Sequence, residues 1–85
     1  MSLRYYFKLV GVINDAERDI KFDPTRLSVG EIKDLLKKRY NLAPFLEVKI
    51  IHDGKTLIED DIPWSRVVGD PPKKPITFMA VNPNR

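Results

Sequence analysis

Two strongly apolar runs stand at opposite ends of this chain. Residues 5–13 read Tyr-Tyr-Phe-Lys-Leu-Val-Gly-Val-Ile, and residues 76–81 read Ile-Thr-Phe-Met-Ala-Val. Aromatic and β-branched side chains of this kind suit a pleated surface, so each run predicts a strand. A chain of 85 residues has room for one core and not for two. Strands that are apolar nearly throughout belong where both faces are covered or flanked, in the middle of a sheet. The first and last strands are therefore expected to pair in the centre of one sheet, with the rest of the chain arranged around that pair.

What lies between them reads as a succession of punctuated elements. Asn14-Asp15 fits a turn, since such side chains bond nearby backbone amides. Residues 17–23 then alternate, with Ile20 and Phe22 on one face and Lys21 and Asp23 on the other, which completes a hairpin. Pro24 cannot donate a ladder hydrogen bond and ends that strand. Ser28-Val29-Gly30-Glu31 matches a capping box, in which the serine oxygen accepts a helix-end amide and the glutamate reaches back to the serine amide. The helix that follows carries Val29, Ile32, Leu36 and Tyr40 at spacings of three and four, widened by Leu35. Glu31 in its first turn and Lys37, Lys38 and Arg39 in its last complement the helix dipole. Asn41 as a left-handed cap and Pro44 beyond it place the end near Tyr40, with Leu42 tucking under the domain.

Residues 47–52 predict a third strand running into Asp53-Gly54, a strong signal for a tight hairpin turn, and residues 55–58 a short return strand. Residues 59–75 change character to acids, prolines and single apolar residues such as Ile62, Trp64, Val67 and Val68, and are expected to form a long, locally packed connection containing a helical turn. Trp64 reads best as the plug that fixes this connection to the core, because so small a domain can rarely spare its largest side chain. The aspartates of Glu59-Asp60-Asp61 are expected to cap the helical turn in a solvated loop. The resulting order is strand, strand, helix, strand, short strand, strand. This predicts an α+β fold, a β-grasp with a mixed sheet of four to five strands and one helix across one face, as a single domain over 1–85, with a folded core over 4–81 and a flexible tail at 82–85.

From about Tyr6 to Val81 the chain resembles the ubiquitin-like family. The hairpin, Asp23-Pro24 at the end of its second strand, the capped helix with Ile32-Lys33, the loop at Pro44 and the stretch Ile50-Ile51-His52-Asp53-Gly54-Lys55-Thr56-Leu57 carry the resemblance. It implies recognition of other proteins through an aliphatic patch on the solvent face of the sheet. Carried over position by position, Ile51 falls at the central patch isoleucine, Thr77 at the patch histidine and Met79 at the patch valine, while Lys49 and Lys55 fall at flanking basic and linkage positions. Strand alternation argues the same way. With Val48, Ile50, Ile76, Phe78 and Ala80 facing in, Lys49, Ile51, Thr77, Met79 and Val81 face out, as an apolar patch in a basic surround. One of Tyr5 and Tyr6 should be exposed beside it.

The departure from the family is at the end. Conjugated members and the sulfur-carrier branch present a flexible Gly-Gly terminus, whereas this chain ends Val81-Asn82-Pro83-Asn84-Arg85, with Pro83 fixed in φ and Arg85 bulky. A covalent modifier or sulfur carrier is therefore the alternative rather than the leading expectation, and it depends on a longer native form processed to Gly-Gly.

Composition bounds the remaining chemistry. Fifteen Lys and Arg against twelve Asp and Glu give a charge of +3 with both signs interleaved. The densest basic runs, Lys37-Lys38-Arg39 and Lys73-Lys74, are short for a nucleic-acid face, so an RNA-contacting β-grasp domain is a further alternative and not the main reading. With no cysteine there is no disulfide framework, thiolate site or thiol nucleophile, and His52 as the only histidine cannot anchor a zinc site or a familiar triad. No catalytic residue, cofactor or metal is expected, and a chain this short has little room for an internal substrate pocket. No apolar run approaches the roughly 20 residues needed to span a bilayer. A monomeric, cytoplasmic domain with protein partners and no membrane partner is the expectation.

Overall fold

The computed structural model describes residues 1–11 and 17–83. In chain order the elements are β1 (Leu3–Leu9), β2 (Glu17–Phe22), α1 (Val29–Arg39), β3 (Glu47–His52), β4 (Lys55–Thr56), α2 (Trp64–Val67) and β5 (Ile76–Val81). The five strands form one sheet in the order β2-β1-β5-β3-β4. β1 and β5 lie parallel, with Phe7 beside Ile76 and Leu9 beside Phe78, and all other neighbours are antiparallel. The two end strands thus meet in the middle, as their apolar composition requires, and the architecture is the α+β β-grasp.

Alternation divides the sheet into an inner and an outer face. Tyr5, Phe7, Ile20, Phe22, Val48, Ile50, Ile76 and Phe78 point inward and are buried together with Val29, Ile32 and Leu36 of α1. Trp64 of α2 completes this core, with no exposed surface and its ring 5.8 Å from each of Tyr5, Phe7 and Phe22. Its indole N–H lies buried beside the Tyr5 hydroxyl without a hydrogen bond of normal geometry. The Tyr5 hydroxyl itself donates to the carbonyl of Gly69, which ties the far end of the connection to β1.

The ends of α1 follow from their sequence. Ser28 Oγ accepts from the Glu31 amide at 3.2 Å, and Glu31 Oε1 accepts from the Ser28 amide at 3.0 Å, so the capping box is complete. At the other end Asn41 adopts φ +53, its amide donates to Lys38 O and that of Leu42 to Lys37 O. This pair of bonds is a Schellman motif with asparagine in the place usually taken by glycine. Tyr40 closes the helix against β1, donating from its hydroxyl to Phe7 O at 3.0 Å.

Three local expectations are corrected. β1 begins at Leu3, because Phe22 on β2 offers it a partner, and it ends at Leu9, since Gly11 at φ +89 leaves the extended region. The expected turn at Asn14-Asp15 and the expected strand end at Ile13 lie outside the described residues, as do Asn84 and Arg85. β4 is only two residues long, because beyond Leu57 the chain is drawn toward the start of α1, where Asp60 O accepts from Gly30 N and Ile62 O from Val29 N, both at 3.0 Å. The third correction concerns Asp60 and Asp61. Pro63 precedes α2 with no side-chain cap, and the Asp60 carboxylate instead pairs with Lys33 at 2.7 Å. The acidic loop therefore serves the long helix rather than the short one.

Candidate functional site

The outer face is fixed by register. β3 and β5 pair Lys49 with Met79, Ile51 with Thr77 and Glu47 with Val81, while β4 sets Thr56 against Ile51. On the other flank Lys8 of β1 stands beside Thr77. All five residues expected at the site, Ile51, Met79, Thr77, Lys49 and Val81, are brought together on adjoining positions of two central strands. Ile51, Thr77, Met79 and Val81 are half-buried and Lys49 is exposed. Ile51 is not core, whereas its neighbour Ile50 is fully enclosed. Of the two tyrosines on β1, Tyr5 is buried and Tyr6 is 44% exposed, on the outer face with Lys8.

Both helices contribute their buried side chains to the opposite, inner face. Neither helix packs a buried side chain onto the outer patch. Its surround differs from the expectation in carrying both signs. Glu47 stands beside Val81, and on β2 Glu17 and Asp19 share the face with Lys21. Arg4 pairs with Asp19 at 3.2 Å, so the charges at the β2 edge neutralise one another within the chain. Toward the other edge, Lys49 and Lys74 have no ion-pair partner among the described residues, while Lys55, opposite His52, lines a separate cleft with Val29.

A cleft of about 280 Å³ adjoins the patch at that edge, sharing Ile51 and Thr77 with it and bounded by His52, Pro72, Lys74 and Pro75. Periodicity gave no sign of this cleft, because its walls come from the β3–β4 turn and the end of the long connection, far apart in sequence. A larger cleft of about 560 Å³ lies at the end of α1, lined by Asp34, Lys37, Lys38, Asn41, Leu42 and Pro44. Of the two basic runs considered for RNA, Lys37 and Lys38 line one cleft and Lys74 the other, and each cleft also holds a carboxylate, Asp34 in the first and Asp53 in the second. Two exposed apolar side chains escaped the sequence reading: Phe45, 61% exposed before β3, and Ile58, 78% exposed after β4.

Burial raises the Tyr5 and Tyr40 hydroxyls above the usual tyrosine value, and both serve as anchors for the core. The Asp23 carboxyl is lowered to about 2 by hydrogen bonds from Thr25, at the end of β2. Among the described residues no three His, Asp or Glu side chains gather as a metal site, and no helix is long and apolar enough to cross a membrane.

No protein-family model and no curated protein sequence matches the chain. In structure it is similar to a computationally designed protein based on the template of human erythrocytic ubiquitin, solved by NMR. The two superpose with a TM-score of 0.66 and 23% identity over 88% of this chain and 86% of the other. The fold is ubiquitin-like. In this ubiquitin-like domain the β-hairpin, the crossover helix and the central parallel pair take the order derived above from the residues. At such low identity the likeness establishes the architecture alone, and the role of the outer face has to be argued from its own chemistry.

Proposed function

We propose that this ubiquitin-like domain is a protein-interaction module that binds its partner non-covalently through the outer sheet face, with Ile51, Met79, Thr77, Lys49 and Val81 as contacts. The observation that carries the reading is the group of partly exposed aliphatic side chains, Ile51, Met79 and Val81, on the face opposite both helices. Contiguous apolar surface with a polar rim is the usual composition of an interface. Methionine at the centre adds a side chain that adapts its shape to what it meets. The role is recognition rather than catalysis.

The test is affinity capture with the wild type beside Ile51→Asp and Met79→Asp, with folding followed by amide NMR. Proteins retained by the wild type and lost with both variants, while the dispersed spectrum persists, are the expected result. Equal retention by all three chains would remove the basis of the reading.

A further inference from the structure

The two outermost strands, β2 and β4, each leave one edge without a neighbour, and the two edges differ in character. β2 carries a charge at four of its six positions, which is a common way to protect a free edge. Along the β4 edge, residues 55–59 read Lys-Thr-Leu-Ile-Glu, with charge only at the two ends and Ile58 between them 78% exposed. A cleft of about 170 Å³ adjoins this edge, and all five of these residues line it beside Val29, Ile62 and Val67.

Ladder geometry sets which backbone groups face outward. Lys55 closes the turn opposite His52, and Leu57 donates its amide to Ile50 O at 2.8 Å. Successive residues of a strand turn their N–H and C=O to opposite sides, so Thr56 and Ile58 direct theirs away from β3. Among the described residues no turn, loop or cap bond engages either of them. Such open groups are a template for one more strand.

Charge decides which strand. When residues 55–59 meet their own copy antiparallel about a two-fold axis through Leu57, Thr56 lies opposite Ile58 of the second chain and Lys55 opposite its Glu59. The first pairing matches outward N–H and C=O groups with one another, and the second sets opposite charges face to face at both ends. Sliding the register by two residues puts Leu57 against Lys55 or Glu59 instead. Sliding it by one sets outward groups against groups already turned to β3 and exchanges the side-chain faces. The segment is thus complementary to its own reverse in one register.

We infer that the β4 edge is a self-association surface, along which two copies pair antiparallel through residues 55–59 and join their sheets. Ile58, which shares the outer face with Thr56 and Ile51 by alternation, then packs across the axis on Thr56 of the second copy. The available edge ends after Glu59, where Asp60 O turns to accept from Gly30 N. This surface is separate from the contacts on β3 and β5 proposed above, and it departs from the monomer expected from the sequence.

The experiment is sedimentation equilibrium of the full chain from about 10 μM to about 1 mM, with amide NMR over the same range. A reversible dimer with a Kd on the order of 100 μM is expected, weak because the edge is short, with concentration-dependent shifts at Thr56, Leu57 and Ile58. Lys55→Glu and Glu59→Lys, each alone, are expected to weaken it about tenfold while the dispersed spectrum persists. Both changes in one chain, or an equimolar mixture of the two single variants, should restore it, because opposite charges then face each other again. A chain that stays monomeric at the top of the range overturns the inference. So does a dimer indifferent to both reversals, one weakened by them without rescue, or one whose shifts fall on Lys49 and Met79 instead.

Discussion

Trp64 shows how far one side chain can organise a domain of this size. It sits in a four-residue helical turn that is too short to be stable alone, yet its ring is enclosed by three aromatic residues of β1 and β2. Its amide and that of Ser65 also donate to Leu27 O and Pro24 O, both at 2.9 Å, so backbone and side chain fix the same point. Trp64→Ala is expected to cost about 3–5 kcal/mol in urea unfolding, and Trp64→Phe less, since phenylalanine keeps most of the ring contact and removes a buried N–H that lacks a well-formed bond. Asp23 offers a second residue-level test. Its Oδ1 accepts from the Thr25 hydroxyl at 2.6 Å and from the Thr25 amide at 3.0 Å, with the N-terminal ammonium 3.1 Å from Oδ2. These bonds favour the ionised form and lower its pKa from the ordinary 3.8 to about 2. A carboxyl lowered on folding stabilises the native state above its unfolded value and loses that contribution as pH falls through its folded one. Thermal midpoints should therefore decline between about pH 4 and pH 2, and Asp23→Asn should flatten that decline. Trp64 was placeable from sequence because size alone argued for burial. Asp60 was not, because its partners Gly30 and Lys33 are distant in the chain and no local pattern records them.

At the scale of elements, β3 supplies the sharpest comparison, since two adjacent isoleucines face opposite ways. Ile50 has no exposed surface and Ile51 is half-buried on the outer side. Ile50→Ala should destabilise by about 2–5 kcal/mol, as expected for a cavity in a closed core, and Ile51→Ala by about 1 kcal/mol or less. Equilibrium unfolding of the two variants checks the register, because a slip by one residue would exchange their effects. This element was legible from sequence at both ends. Val48 and Ile50 alternate with Lys49, and Asp53-Gly54 supplies two consecutive positive φ angles, the geometry that matches strand twist in a two-residue hairpin. The helix was legible for the same reason: its start and stop signals are local. β4 was overestimated because Leu57 and Ile58 read as strand, while the chain beyond them is diverted by backbone bonds to the first turn of α1.

For the whole molecule, the decisive feature is the parallel pairing of β1 with β5 at the centre of the sheet. Removing residues 76–85 takes away Ile76 and Phe78 from the core and leaves β1 and β3 with no strand between them. That truncated chain is expected to show no cooperative unfolding transition by circular dichroism, although its hairpin and helix signals are intact. The central pair was inferable from composition, since the chain's two apolar extremities could be covered in no other way. The cleft at the edge of the patch was not, for it exists only once strands and connection are in place. The same pairing bears on biosynthesis. On the ribosome β1 emerges first and the strand that completes it last, and at about 5–20 residues per second the delay is several seconds. Through that interval Tyr5 and Phe7 lack Ile76 and Phe78 beside them, so the core closes only once residues 76–81 are available to it.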